Sequence, residues 1–373
     1  MPAGPPIPRR SLLLAPLLPA GCSAPGPDAR GLLADRGRAL LERDLPAAAR
    51  GYAADDRPAL RRHDARALAA GLVEWSVEDV RVAGRDVTGL LRVRVEGEGR
   101  AVAGAFRAGW DGELHLAPGA PQPWDLGDVT AERVAGGVVL HVGRTGDVGR
   151  QVAADLPAAT ARVDAVWGPG WPRGTAVVVV PTAADVTRLA GAGDGLDAVA
   201  VGLDAALPDG APAGVRVVLS TERFAALTGQ GRTLTLTHEL VHVATRATPR
   251  PAGAVVPRWL IEGYADHVAR LGTDVPAPAL AAALLRAPGP PRVPADADFT
   301  DPARAQVAYA AAWTLVTSAA RAGGTGTVTA LVRAVWTGTP VADACPAVLG
   351  RSLRDVVATW RADVAADLVG WGP

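Results

Sequence analysis

From residue 31 to about residue 70 the apolar positions Leu32, Leu33, Leu40, Leu41 and Leu45 recur every three to four residues, which predicts helix. The period then shortens. Residues 73–78 and 90–96 alternate apolar with polar side chains, as do the stretches around 106–110, 114–116 and 138–142, and this predicts antiparallel strands with one face covered. Gly84, Gly97, Gly99, Gly112 and the pair Gly136-Gly137 mark the turns between them. After a glycine-rich join at 143–149, a helix over 152–166 leads to residues 175–180, a continuous apolar run ended by Pro181 that fits a strand covered on both faces. A helix near 184–190 and strands near 198–203 and 215–220 follow, and everything beyond about Thr233 reads as helix.

This is an α+β pattern in two units, 31–145 with helix and antiparallel sheet, and 150–373 with a small sheet before a helical half. The first unit, helix followed by a curved antiparallel sheet, resembles the nuclear transport factor 2-like cone in order and length. The chain of 373 residues has room for two cores, and 49% hydrophobic against 20% charged residues places it in the globular range. Thirty-eight basic residues balance thirty-eight acidic ones, so no net field concentrates nucleic acid on the molecule, and no nucleic-acid partner is expected.

The first 22 residues read as a secretory signal peptide. Arg9 and Arg10 precede an apolar stretch at 12–18 too short to span a bilayer, and Pro19-Ala20-Gly21-Cys22 closes it. The ending resembles the lipobox of bacterial lipoproteins, with Pro19 where that family prefers leucine. The resemblance implies a diacylglycerol on Cys22, residues 23–30 as a tether, and a protein outside the cytoplasm held to the cell membrane through lipid alone; a secreted protein is the alternative. Cys345 would then be the one remaining thiol, read as a buried small hydrophobe.

The chemistry concentrates in Thr237-His238-Glu239-Leu240-Val241-His242-Val243. On a helix, residues four apart share a face, so His238 and His242 can present two imidazoles to one metal ion. Glu239 sits one position round, beside the metal yet outside its ligands, where it can take a proton from a water. A catalytic zinc needs a third protein ligand and an open position.

The downstream segment Pro257-Arg258-Trp259-Leu260-Ile261-Glu262-Gly263-Tyr264-Ala265-Asp266 resembles the gluzincin zinc peptidases, including thermolysin-like enzymes and bacterial peptidase MA-like proteins. Peptidases that use a third histidine six residues beyond the second, after a glycine, are excluded because Thr248 and Thr245 stand at those places. The gluzincin resemblance covers about residues 150–370. It implies that Glu262 is the third ligand to one Zn2+ per chain and that Asp266 accepts a hydrogen bond from the far nitrogen of His238, fixing its tautomer. It also implies an oxyanion donor from the helical half. The chain has three tyrosines, and Tyr309 lies where related proteins place such a donor; as a core residue it would instead pack on Trp313 at i+4. His267 is expected to face away from the metal.

The function so implied is a zinc peptidase acting on a peptide or protein substrate, with residues 215–220 expected as an exposed strand edge that aligns it. The alternative is a surface lipoprotein that binds a peptide, cell-wall material or a protein partner and carries a structural or idle zinc site. The oligomeric state is left open.

Overall fold

A computed structural model describes residues 28–191, 198–202, 207, 211–368 and 371. Cys22 and the signal segment lie outside them. The fold is α+β, as the periodicity predicts. Three helices, α1 (Ala29–Leu41), α2 (Leu45–Ala48) and α3 (Arg57–Ala69), precede a four-stranded antiparallel meander of β1 (Leu72–Ala83), β2 (Asp86–Val95), β3 (Val102–Trp110) and β4 (Leu114–Leu116). Helix α1 begins within the expected tether, because the Asp28 side chain accepts a hydrogen bond from the Gly31 N–H and caps it at Ala29. The helical region expected up to residue 70 is broken at Arg43, which takes φ 62°, and restarts where Asp44 caps α2.

The short α4 (Pro123–Leu126) leads into a five-stranded mixed sheet. Its strands are β5 (Val129–Val134), β6 (Gly137–Val142), β7 (Thr175–Val180), β8 (Ala198–Gly202) and β9 (Val215–Ser220), in the spatial order β5-β6-β7-β9-β8. Helix α5 (Gly146–Trp167) lies between β6 and β7 in the chain and α6 (Ala183–Ala190) between β7 and β8, while α7 (Thr221–Phe224) follows β9. Two expectations are corrected here. The stretch at 138–142, assigned by its sequence to the first sheet, pairs in parallel with β7, so the second sheet starts ahead of residue 145. Val138, Val139 and Leu140 are fully buried, the mark of a strand covered on both faces. Strand β9 is not an edge. It lies between β7 and β8, buried along its whole length, and β8 forms the antiparallel edge beside it.

Alternate residues of this sheet serve two cores. Val139, Val177, Val179, Val217 and Leu219 pack with the helical half, while Val138, Leu140, Val178, Val180 and Val218 share a core with Leu40, Leu60, Trp75 and Val93 of the N-terminal elements. The sheet is therefore a middle layer, and the two units are joined by apolar burial worth about 1.5–3 kcal/mol for each large side chain. A buried ion pair adds to the join. The Arg216 guanidinium on β9 donates through Nε and Nη2 to the Glu98 carboxylate at 2.6 and 3.0 Å, and through Nη1 to Gln122 Oε1 at 2.9 Å.

The helical half comprises α8 (Gly229–Arg246), α9 (Arg258–Arg270), the short α10 (Ala277–Leu280) and α11 (Ala282–Leu285), then α12 (Ala305–Gly323), α13 (Thr325–Trp336), α14 (Val341–Ala344) and α15 (Leu353–Ala365). Arg100 Nη1, from the N-terminal unit, donates to the Ala247 carbonyl at the end of α8 at 2.8 Å. Among the described residues no helix is long and apolar enough to cross a membrane.

Candidate metal centre

Helix α8 starts at Thr228, whose hydroxyl accepts from the Gly231 N–H, and its apolar side chains Leu236, Leu240, Val241 and Val243 are buried. That anchoring turns the opposite face, with His238 and His242, toward α9. There Pro257 caps the helix start while Trp259, Leu260, Ala265 and Val268 hold α9 in the core, leaving Glu262 in the second turn to face the histidines. Helix α12 closes on α9 at Gly263, where a Cβ would stand 2.3 Å from the Ala312 carbonyl oxygen, so the glycine is needed for close approach.

Three ligand atoms meet between these helices. His238 Nε2 and His242 Nε2 are 3.0 Å apart, and Glu262 Oε2 lies 3.3 Å from the first and 3.4 Å from the second. Around a four-coordinate ion with bonds of about 2.0–2.2 Å, adjacent ligands stand about 3.3–3.6 Å apart, so the triangle is of the size a metal ion requires. His238, His242 and Glu262 are thus close enough to hold a metal ion. Two imidazoles with one carboxylate suit several divalent transition metals.

The electrostatics match that set. Burial opposes charge on His238, but hydrogen bonds to Asp266 and Glu262 outweigh it and hold its pKa well above the usual imidazole range. Burial likewise opposes charge on Glu262, and His242 and His238 outweigh it to hold the carboxyl well below its usual range. The site favours positive charge at its centre. An incoming metal ion takes the place of the proton, so binding releases one.

Asp266 stands behind His238. Its Oδ1 accepts from His238 Nδ1 at 3.0 Å and its Oδ2 is ion-paired with Arg270 Nη2 at 3.0 Å, while the Arg270 guanidinium stacks 4.6 Å from the Trp313 ring. A carboxylate held ionised by Arg270 and His238 against its burial can only accept here, so one proton stays on Nδ1 and it is the Nε2 proton that a metal ion would displace. Asp266→Ala is expected to weaken metal binding about 10- to 100-fold, read by competition with a chromophoric chelator. An unchanged affinity would take Asp266 out of the site.

Glu239 is buried on α8 beside His238, whose imidazole its charge favours, and it is not one of the three converging groups. Tyr309 projects from α12 toward the same place, with its ring edge-on to Phe299 at 5.1 Å. Its aromatic partner is Phe299 and not Trp313, which carries Arg270. Burial, and then the Glu262 charge, raise the Tyr309 pKa, so the phenol keeps its proton. Both nitrogens of His267 face threonine hydroxyls, Thr317 and Thr325, at 3.1 Å, and burial pushes its pKa down to about 4, so it stays neutral and away from the triad. Cys345 is buried and its thiol pushed up by burial, as a packing residue would be.

Sequence reasoning passes over two neighbours of the triad. Arg258 Nε donates to Glu262 Oε1 at 3.2 Å, and Phe299 lies beneath the Arg258 guanidinium at 5.3 Å. The spacing of Arg258 and Glu262, four apart on one helix, is the signal that could have found the first. Phe299 ends a 3-10 turn (Asp296–Phe299), 37 positions beyond Glu262 in the numbering, which no local pattern encodes. The chain matches no family model and no curated protein.

Proposed function

We propose that the protein is a zinc-dependent peptidase of the gluzincin type, acting outside the cytoplasm on a peptide or protein substrate and tethered to the membrane by lipid on Cys22. The observation that carries the reading is the 3.0–3.4 Å triangle of His238, His242 and Glu262, with Asp266 behind the first histidine and Glu239 beside the triad. A structural metal site would have no use for a buried carboxylate at that last position. Zinc held there supplies Lewis acidity, which polarises a carbonyl and makes a water acidic. Glu239 accepts the proton from the attacking water and hands it to the leaving amine. Tyr309, protonated, donates a hydrogen bond to the carbonyl oxygen as it gains charge.

A second reading has its own observation. The N-terminal unit encloses a cavity of about 330 Å³ lined by Trp75, Leu91, Phe106 and Trp124, among others, which supports a ligand- or partner-binding role with an idle metal site. The two are separated by assaying the zinc-loaded full chain against a peptide library. Hydrolysis lost on chelation and restored by one equivalent of zinc is expected. A fully loaded protein that cleaves no peptide favours the second reading.

A further inference from the structure

We infer that Arg258 is a positioning residue that sets the orientation of the metal-ligating carboxylate. The inference does not rest on the peptidase reading.

Glu262 has two oxygens with different neighbours. Oε2 faces both histidine Nε2 atoms, at 3.3 and 3.4 Å, and Oε1 accepts from Arg258 Nε at 3.2 Å. With Oε1 occupied, the carboxylate cannot turn that oxygen toward the centre, so Glu262 offers one oxygen and leaves the remaining position open. The guanidinium is itself held. It lies on the Phe299 ring at 5.3 Å, and the Arg258 backbone N–H donates to Asp296 Oδ1 at 3.0 Å, which fixes the first residue of α9.

Phe299 completes the arrangement by meeting the Tyr309 ring edge-on at 5.1 Å while its face carries Arg258. Lysine offers a single ammonium in place of this planar fork and cannot lie on the Phe299 ring and hold Oε1 in the same geometry.

The test uses the metal-loaded full chain. Arg258→Met, which retains an apolar stem over Phe299, is expected to raise the zinc Kd about 10- to 100-fold and to alter the visible absorption of the cobalt-substituted protein. Tyr309→Phe should leave both unchanged and lower kcat about 100- to 1,000-fold at similar KM. Should the methionine variant fail to fold, Arg258→Lys decides by the same measurements, with an altered cobalt spectrum expected. A native zinc Kd and cobalt spectrum in the folded variant would overturn the inference. These two readouts need no turnover, so a wild-type protein that cleaves nothing would remove the peptidase reading and leave the claim about Glu262 standing or falling by itself.

Discussion

Glu239→Gln is expected to reduce kcat roughly 100- to 10,000-fold while the protein keeps its zinc and its fold. The substitution changes almost nothing but proton chemistry. Glutamine has the length and shape of glutamate, and position 239 is 7% exposed within a helix whose flanking Leu240 and Val241 are core residues, so no packing is lost. The metal should be unaffected, because the three converging ligand atoms belong to His238, His242 and Glu262. What disappears is the only group beside His238 on α8 able to accept a proton from water and return it to an amine. Metal stoichiometry by atomic spectroscopy, taken with kcat on the same sample, checks both halves. Undiminished turnover in a fully loaded variant would remove Glu239 from the chemistry. Loss of metal together with turnover would show that the carboxylate belongs to the coordination sphere.

Much of this site is legible from the chain because its parts are local. The histidine pair is set by the helical repeat, and Glu262 and Asp266 by the same repeat on the next helix. What the sequence hides are relations between distant segments. The Phe299 contact with Tyr309 joins a 3-10 turn to α12, and the closeness of α9 and α12 depends on the absent side chain of Gly263, which resembles any other glycine until the Ala312 carbonyl is seen against it.

The fold divides in the same way. The run at 175–180 announces a doubly covered strand, and β7 is one, buried at every position. The run at 138–142 carries the same signal, with Val138, Val139 and Leu140 adjacent, yet reads as part of an alternating meander because His141 lends it a polar position. Strand order has no local signature at all. Residues 215–220 are expected as an edge because they come just before the helix of the two histidines, whereas the structure places β9 between β7 and β8 with Arg216 at 6% exposure.

That arginine is also where the largest loss of stability is expected. Arg216→Met should cost about 3–5 kcal/mol, because it leaves the Glu98 carboxylate charged, buried and deprived of two donors, with only the Val95 N–H at 2.7 Å still bonded to it. Glu98→Leu should cost a similar amount from the other side, stranding a guanidinium whose remaining partners are Gln122 Oε1 and the face of Trp124 at 5.7 Å. The double variant Arg216→Met/Glu98→Leu removes both charges and fills the same space with apolar groups, and most of the loss should be recovered. Urea denaturation at pH 7 reads all three as shifts of midpoint at constant slope, and the cycle gives the coupling between the two side chains. The pair bridges the N-terminal unit and β9, and neither member touches His238, His242 or Glu262, so zinc affinity of the folded variants should remain native. Single variants that lose less than about 1 kcal/mol would show that water reaches the pair. A double variant that loses the sum of the two singles would show that the cost lies in packing rather than in stranded charge.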